Sequence, residues 1–250
     1  MRSVPAAALL LSAAVALALG GCAPQDDGRI AQLEARLTRA ESRIGLAEDY
    51  NQLANLQRQY GYYLDKAQFA EIVDLFTDDI SLEYSHRGVY KGKAHATQLL
   101  QLMPGGKTGL LPGMLQNHIQ IGGVIHVAED GRSAKARWRA LVMMGNTEKK
   151  TADWQEGIYE NEYRKENGVW KISKIVVSMN VAAKYDKGWG VAPEKMPGVN
   201  KDFPPDAPQS DPNYVEYPGI YVPPYHYPNP VTGKPWTPPA KVADAAAAAR

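Results

Sequence analysis

The chain predicts an α+β domain in which helices pack on one face of a curved antiparallel sheet. Three observations carry this expectation. Apolar residues first recur at three- and four-residue steps, in Leu53, Leu56, Tyr60, Tyr63 and Leu64 and again in Phe69, Ile72, Val73 and Phe76, so two helices each bury one face. The period then changes to two: in SAKARWRALVMM, Ala134, Ala136, Trp138, Ala140, Val142 and Met144 share one face, while Lys135, Arg137 and Arg139 take the other. Finally, EDGR at 129–132 and ENG at 166–168 are hairpin turns, so the strands that they join run antiparallel. Helices followed by long antiparallel strands define this class, and a small ligand would occupy the concavity between the layers.

The elements follow in chain order. Arg2 and the apolar run AAALLLSAAVALALGG make residues 1–21 a signal segment, too short and too rich in small residues for a stable membrane span. The run ends in LGGC, which resembles a bacterial lipobox, and Cys22 is the only cysteine. That resemblance implies an acylated Cys22 that anchors the mature protein to the membrane. With Ala23 following instead of an aspartate, it implies the periplasmic side of the outer membrane. The other reading is an ordinary cleaved signal with an incidental cysteine. A single cysteine excludes an internal disulfide and leaves no thiol for catalysis.

Residues 22–29 are a polar spacer. From 30 to 48, Ile30, Leu33, Leu37, Ala40, Ile44 and Ala47 follow a heptad rhythm over about two and a half repeats. This extension is either a short oligomerising stalk, which would make a homo-oligomer (dimer or trimer), or a helix packing on its own domain. The domain proper is expected over 49–180, with a strand at ISLEY (80–84), a helix at 92–103 stopped by PGG, and strands from Gln116 onward. Between 181 and 240 most of the prolines of the chain occur together with tyrosines and Trp236, which predicts an extended tail that wraps the domain or a neighbour, or else binds a separate partner. Residues 241–250 are low in complexity.

With 250 residues, 44% of them hydrophobic, the chain has material for one medium core plus extensions. Its formal net charge is +1, and no Lys or Arg block exceeds a pair, which argues against nucleic acid as a partner. Glycine motifs for nucleotide phosphates are absent from the sequence. His86, His95, His118, His126 and His226 show no HxH or HxxxH spacing, so neither a metal nor an organic cofactor is expected.

The succession YGYYLDKAQFAEIVDLFTDDISLEY, GVYKGKA, QNHIQIGG and GIYENEYRKENGVWKI resembles the SnoaL-like proteins, which share the cone-shaped fold of nuclear transport factor 2, scytalone dehydratase and ketosteroid isomerase. The resemblance covers about residues 46–180. It implies that Asp65 in YLDKAQF orients His118 in NHIQIGG, the acid/base group, and that Tyr84 in ISLEY polarises a substrate oxygen. Two departures stand out: a second tyrosine of the dehydratase pattern is Leu64 here, and a second histidine has no counterpart in WQEGIYENEY.

Taken alone, His118 reads as a strand histidine bonded to a carbonyl. An aspartate on one ring nitrogen would change that, fixing the tautomer and stabilising the imidazolium that forms on proton uptake. The expected activity is a cofactor-free lyase or isomerase on a small, mostly apolar carbonyl or hydroxyl compound, with His118 as general base, Asp65 as its orienter and Tyr84 as donor. Tyr63, Asn117, Trp138, Glu156 and Tyr159 are candidate pocket residues. Trp138 and Tyr159 also fit a plain core role, and Glu156 a solvated one. The alternative is a non-catalytic ligand-binding or assembly module of the cell envelope.

Overall fold

The computed structural model describes residues 24–237, so the signal segment, Cys22 and the low-complexity end lie outside the described residues. The chain divides into two units, 1–48 and 49–250. Helix α1 is continuous over Pro24–Asp65, with no break between the heptad-like extension and the domain helix. In the first unit Ile30, Leu33, Leu37 and Ile44 are 51–59% exposed. Among the described residues no helix is long and apolar enough to cross a membrane.

The second unit continues with α2 (Phe69–Asp74), β1 (Phe76–Tyr84), β2 (Val89–Lys91), α3 (Gly92–Leu102), β3 (Met114–Val127), β4 (Ser133–Asn146), β5 (Thr151–Glu166) and β6 (Val169–Lys184). The six strands form one curved sheet in the order β2-β1-β6-β5-β4-β3. Steps β3 to β6 are antiparallel hairpin connections, with the β3–β4 and β5–β6 turns where the turn signals predict them. The expectation of a purely antiparallel sheet needs correction, because β1 pairs with β6 in parallel, Leu82 opposite Ile175. The chain leaves β1 through β2 and α3, begins again at the far edge with β3 and returns strand by strand to β1. Turn signals report only sequential pairs, and this pair is separated by four intervening strands.

The core fills the concave side of the sheet. Trp138, Ala140 and Val142 of β4, Tyr159 and Tyr163 of β5 and Ile175 and Val177 of β6 pack against Leu53, Leu56, Tyr60 and Leu64 of α1, all buried. Asp49 ties the start of this helical face to the β5–β6 hairpin, accepting from Lys165 Nζ at 2.5 Å and from the Trp170 indole N–H at 2.9 Å.

Gly122 and Gly123 are a bulge in β3: the register passes from Ile121 opposite Arg139 to Val124 opposite Arg137. Before the bulge the even-numbered residues His118 and Gln120 face the concave side, and after it Ile125 and Val127 do. Gly123 lies against the Trp138 ring, where an added Cβ would come within 2.1 Å. The glycines of QNHIQIGG thus let one strand keep an inward face on both sides of an inserted residue.

Beyond β6 the proline-rich segment runs over the domain as a strap. Its backbone forms a bridge at Val89 and Ala207. Tyr214 is buried, its hydroxyl donating to the Met179 carbonyl at 2.7 Å. The Arg137 guanidinium donates to the Pro223 carbonyl at 2.6 Å and lies 3.9 Å above the Tyr225 ring.

Candidate functional site

The last turn of α1 sets the site. Its end is a Schellman-type cap: Gln68 N–H bonds the Tyr63 carbonyl at 3.0 Å, Ala67 N–H bonds the Leu64 carbonyl at 3.1 Å, and Ala67 takes a left-handed φ of 49°. Asp65 is therefore the last helical residue before a defined cap, with its carboxylate held toward β3. Close approach of the helix to that strand depends on Gly61, where a Cβ would come within 2.7 Å of the His118 carbonyl oxygen.

Asp65 Oδ1 accepts the main-chain N–H of His118 at 2.5 Å and lies 3.2 Å from its Nδ1. Both side chains are largely withdrawn from solvent, with 13% and 17% exposure for Asp65 and His118. β3 is an edge strand, and the N–H of His118 turns away from β4, so Asp65 satisfies a main-chain donor that would otherwise be stranded. A carboxylate only accepts. When Nδ1 carries the ring proton it donates to Asp65, and Nε2 is left bare as a proton acceptor.

Beside this pair lies a cavity of about 240 Å³ lined by Asp65, Lys66, Ala67, Gly109, Leu110, Leu111, Pro112, Met114 and Gln116. Its walls are mostly apolar, and the loop 103–113 that forms one side is pinned to the helix end by the Gly109 N–H to Ala67 carbonyl bond, 3.0 Å. Asp65 is the carboxylate in this lining and Lys66 the cation. Gln116 stands two residues before His118, on the same face of β3.

The other sequence candidates fall in three places. Tyr63 is half-buried against the core. Tyr84 lies near Tyr60 and Tyr159 on the interior side; burial pushes its hydroxyl up to about 12 against the pull of Arg87, so it remains a donor at neutral pH. No hydrogen bond joins it to Asp65 or His118. Trp138 and Tyr159 are 3% exposed core residues, and the Trp138 indole donates to the Tyr163 hydroxyl at 2.9 Å. Asn117 and Glu156 lie on the opposite face of the sheet from His118. Asn117 pairs with Met143, and Glu156 pairs with Leu141 and binds Arg139 at 2.6 Å and Asn180 at 2.9 Å. Strand parity decides this: Gln155, not Glu156, shares the face of His118.

A buried polar network escaped the sequence reading. Gln57 is fully buried, donates to Gln120 Oε1 at 2.9 Å and accepts from Asn161 at 2.8 Å and from the Tyr163 hydroxyl at 2.8 Å. Its signal was present, since Gln57 falls on the apolar helix face between Leu53 and Tyr60. Among the described residues no group of three or more His, Cys, Asp or Glu is placed to hold a metal ion.

Comparison with known proteins is consistent with this architecture. The SnoaL-like domain model matches residues 46–176. No curated protein matches the chain in sequence. Among solved structures, LinA superposes with a TM-score of 0.51 at 18% identity, covering 61% of this chain and 99% of its own. A protein from Novosphingobium aromaticivorans DSM 12444, provisionally named scytalone dehydratase, superposes with a TM-score of 0.50 at 17% identity, covering 57% of this chain and 91% of its own. At such identities the likeness is one of fold. With the family model spanning more than half of its residues, the chain belongs to the SnoaL-like domain family.

Proposed function

We propose that this protein is an envelope-anchored, cofactor-free lyase or isomerase acting on a small, mostly apolar carbonyl or hydroxyl compound. The observation that carries the reading is the Asp65 carboxylate shared between a 3.2 Å approach to His118 Nδ1 and the lining of an apolar cavity. His118 Nε2 takes a proton from the carbon next to a carbonyl, and the C–H electron pair moves into an enolate. Asp65 holds the imidazolium, and Tyr84 donates to the enolate oxygen. The proton then returns to a departing hydroxyl, released as water, or to another carbon. No oxidant or co-reactant is needed. That solved relatives by fold include a protein named as a dehydratase supports the class of chemistry. The anchor is Cys22, and Cys22→Ser would shift the protein from membrane to soluble periplasmic fractions.

The test is exchange of substrate α-protons with deuterium, followed by NMR across a panel of small ketones and β-hydroxy ketones, with native mass spectrometry to catch a co-purifying ligand. Exchange that disappears in His118→Ala supports the reading. Exchange of equal rate in both forms sinks it.

A second reading, a non-catalytic ligand-binding or assembly module, draws on two observations. The interior beyond the cavity is filled by Tyr60, Trp138, Tyr159, Gln57, Asn161 and Tyr163, all buried. On the opposite face, Leu115, Ile119 and Ile121 of β3 are 37–51% exposed, an apolar row suited to a homo-oligomer. Ligand retention without turnover would favour it.

A further inference from the structure

His126 of β3 and His226 of the strap are 100 residues apart in sequence, yet His126 Nδ1 lies 3.1 Å from His226 Nε2, the rings crossing at 76°. The other nitrogen of His226, Nδ1, is 3.0 Å from Glu160 Oε2. Because a carboxylate cannot donate, His226 Nδ1 carries a proton, and in the neutral ring Nε2 is bare and directed at His126. Glu160 is itself held in place by Arg137 Nε, bound to its other oxygen.

We propose that His126 and His226 form a binding site for a divalent transition-metal ion, Cu²⁺ or Zn²⁺, that staples the strap to the sheet. The carboxylate–imidazole relay of Glu160 and His226 is the outer arrangement that metal-bound histidines commonly have, with the ring oriented and its tautomer fixed. In the metal-free pair one ring donates a proton to the other across the 3.1 Å gap. Shifting the His126 proton from Nδ1 to Nε2 leaves two bare nitrogens facing each other, and the cation takes the place of the bridging hydrogen with no net proton released.

The spacing suits such an exchange. Two imidazole nitrogens at about 2.0 to 2.1 Å from a tetrahedral ion stand roughly 3.3 to 3.4 Å apart, so an opening of a few tenths of an ångström is enough. His126 is exposed, Glu160 is engaged by the far nitrogen of His226 and by Arg137, and among the described residues no group of three or more His, Cys, Asp or Glu is placed to hold a metal ion, so water would complete the coordination. Such a two-ligand site binds Cu²⁺ ahead of Zn²⁺ in the usual order of divalent ions. It lies on the sheet face opposite His118, so the proposal stands apart from the proton chemistry proposed above.

The test is titration of the untagged full chain with Cu²⁺, read by electron paramagnetic resonance, alongside Zn²⁺ calorimetry. One equivalent of Cu²⁺ with coupling to two imidazole nitrogens is expected. His126→Ala and His226→Ala should each weaken binding at least about tenfold, and Glu160→Gln should weaken it by roughly 10- to 100-fold through the relay. Circular dichroism without metal establishes that each variant is folded. In the wild type, metal should slow hydrogen exchange over residues 219–227. Binding no tighter than in either histidine variant, or coupling to a single nitrogen, would overturn the proposal and leave the contact a hydrogen bond only.

Discussion

One carboxylate oxygen of Asp65 serves two groups of His118, the main-chain N–H at 2.5 Å and Nδ1 at 3.2 Å. The shorter contact satisfies a main-chain donor and the longer one is the contact on which the proposed chemistry rests, so substitutions separate them. Asp65→Ala strands the edge N–H and should cost about 1–3 kcal/mol of stability. Asp65→Asn keeps an oxygen for that N–H and should cost less, yet it loses the charge that stabilises an imidazolium. If His118 is the base, Asp65→Asn and His118→Ala should each lower turnover at least about 10²-fold. Equal stability losses in both Asp65 variants with unchanged turnover would make Asp65 a strand cap and nothing more.

Gly123 provides a test of the bulge. An alanine Cβ there meets the Trp138 ring at 2.1 Å, and that ring is packed on all sides in the core. Gly123→Ala should therefore destabilise the domain by roughly 1–3 kcal/mol, the usual penalty of overpacking, visible as a lower urea midpoint with unchanged slope. Gly131 offers the comparison, since nothing lies within 4 Å of an added Cβ there, although its φ of +63° carries backbone strain of its own. A wild-type midpoint for Gly123→Ala would mean that Trp138 is free to move away.

Periodicity and turn chemistry were legible because they are local. The break between the two helices after Leu64, the even-numbered face of β4 and the hairpins at 129–132 and 166–168 all follow from runs of fewer than twenty residues. The resemblance brought Asp65 and His118 together across 53 positions, which spacing alone could not do. What remained hidden is non-local or turns on one residue. The parallel β1–β6 pair has no turn between its members. Parity moved Glu156 and Asn117 to the opposite face, since a strand inverts its sides at every step. Gly122 and Gly123 read as strand, because an inserted residue leaves the apolar content of QIGGVIHV unchanged. His126 and His226 meet only through the path of the strap, and a proline-rich sequence does not encode where it lands.

The Gln57 network predicts a large stability effect with no charge involved. Gln57→Ala leaves Asn161 Nδ2, the Tyr163 hydroxyl and Gln120 Oε1 without their shared partner inside the core. Orphaned buried groups cost about 1–3 kcal/mol each when water cannot reach them, so a loss above about 2 kcal/mol is expected. Thermal unfolding monitored by tryptophan fluorescence would measure it. A loss below about 0.5 kcal/mol would mean that water enters the space and replaces the amide.

The strap should loosen in acid, and the sign follows from two carboxylates. Asp206 faces His95 Nδ1 at 3.0 Å and accepts the Lys91 N–H at 2.7 Å; His95 first, and Lys91 second, hold its carboxyl below the ordinary 3.8. Burial works to raise Glu216, but hydrogen bonds from His86, at 2.8 Å, and from backbone N–H groups, Met196 at 3.0 Å among them, bring it below the ordinary 4.5. A carboxyl whose folded value lies below its unfolded one contributes stability that is complete above the unfolded value and is lost as pH falls through the folded one. Strap docking should thus be constant from neutral pH down to about 5 and weaken progressively below about 4. Hydrogen exchange at Val89, Met196 and Ala207, corrected for intrinsic rates, reads it directly, because the N–H groups of Val89 and Ala207 bond across the strap contact and that of Met196 bonds Glu216 itself. Asp206→Asn with Glu216→Gln should lower protection at pH 7 toward the acid level and flatten its dependence on pH. Protection that is the same at pH 7 and pH 3 in the wild type would show that Tyr214, Arg137 and the prolines hold the strap without help from either carboxylate.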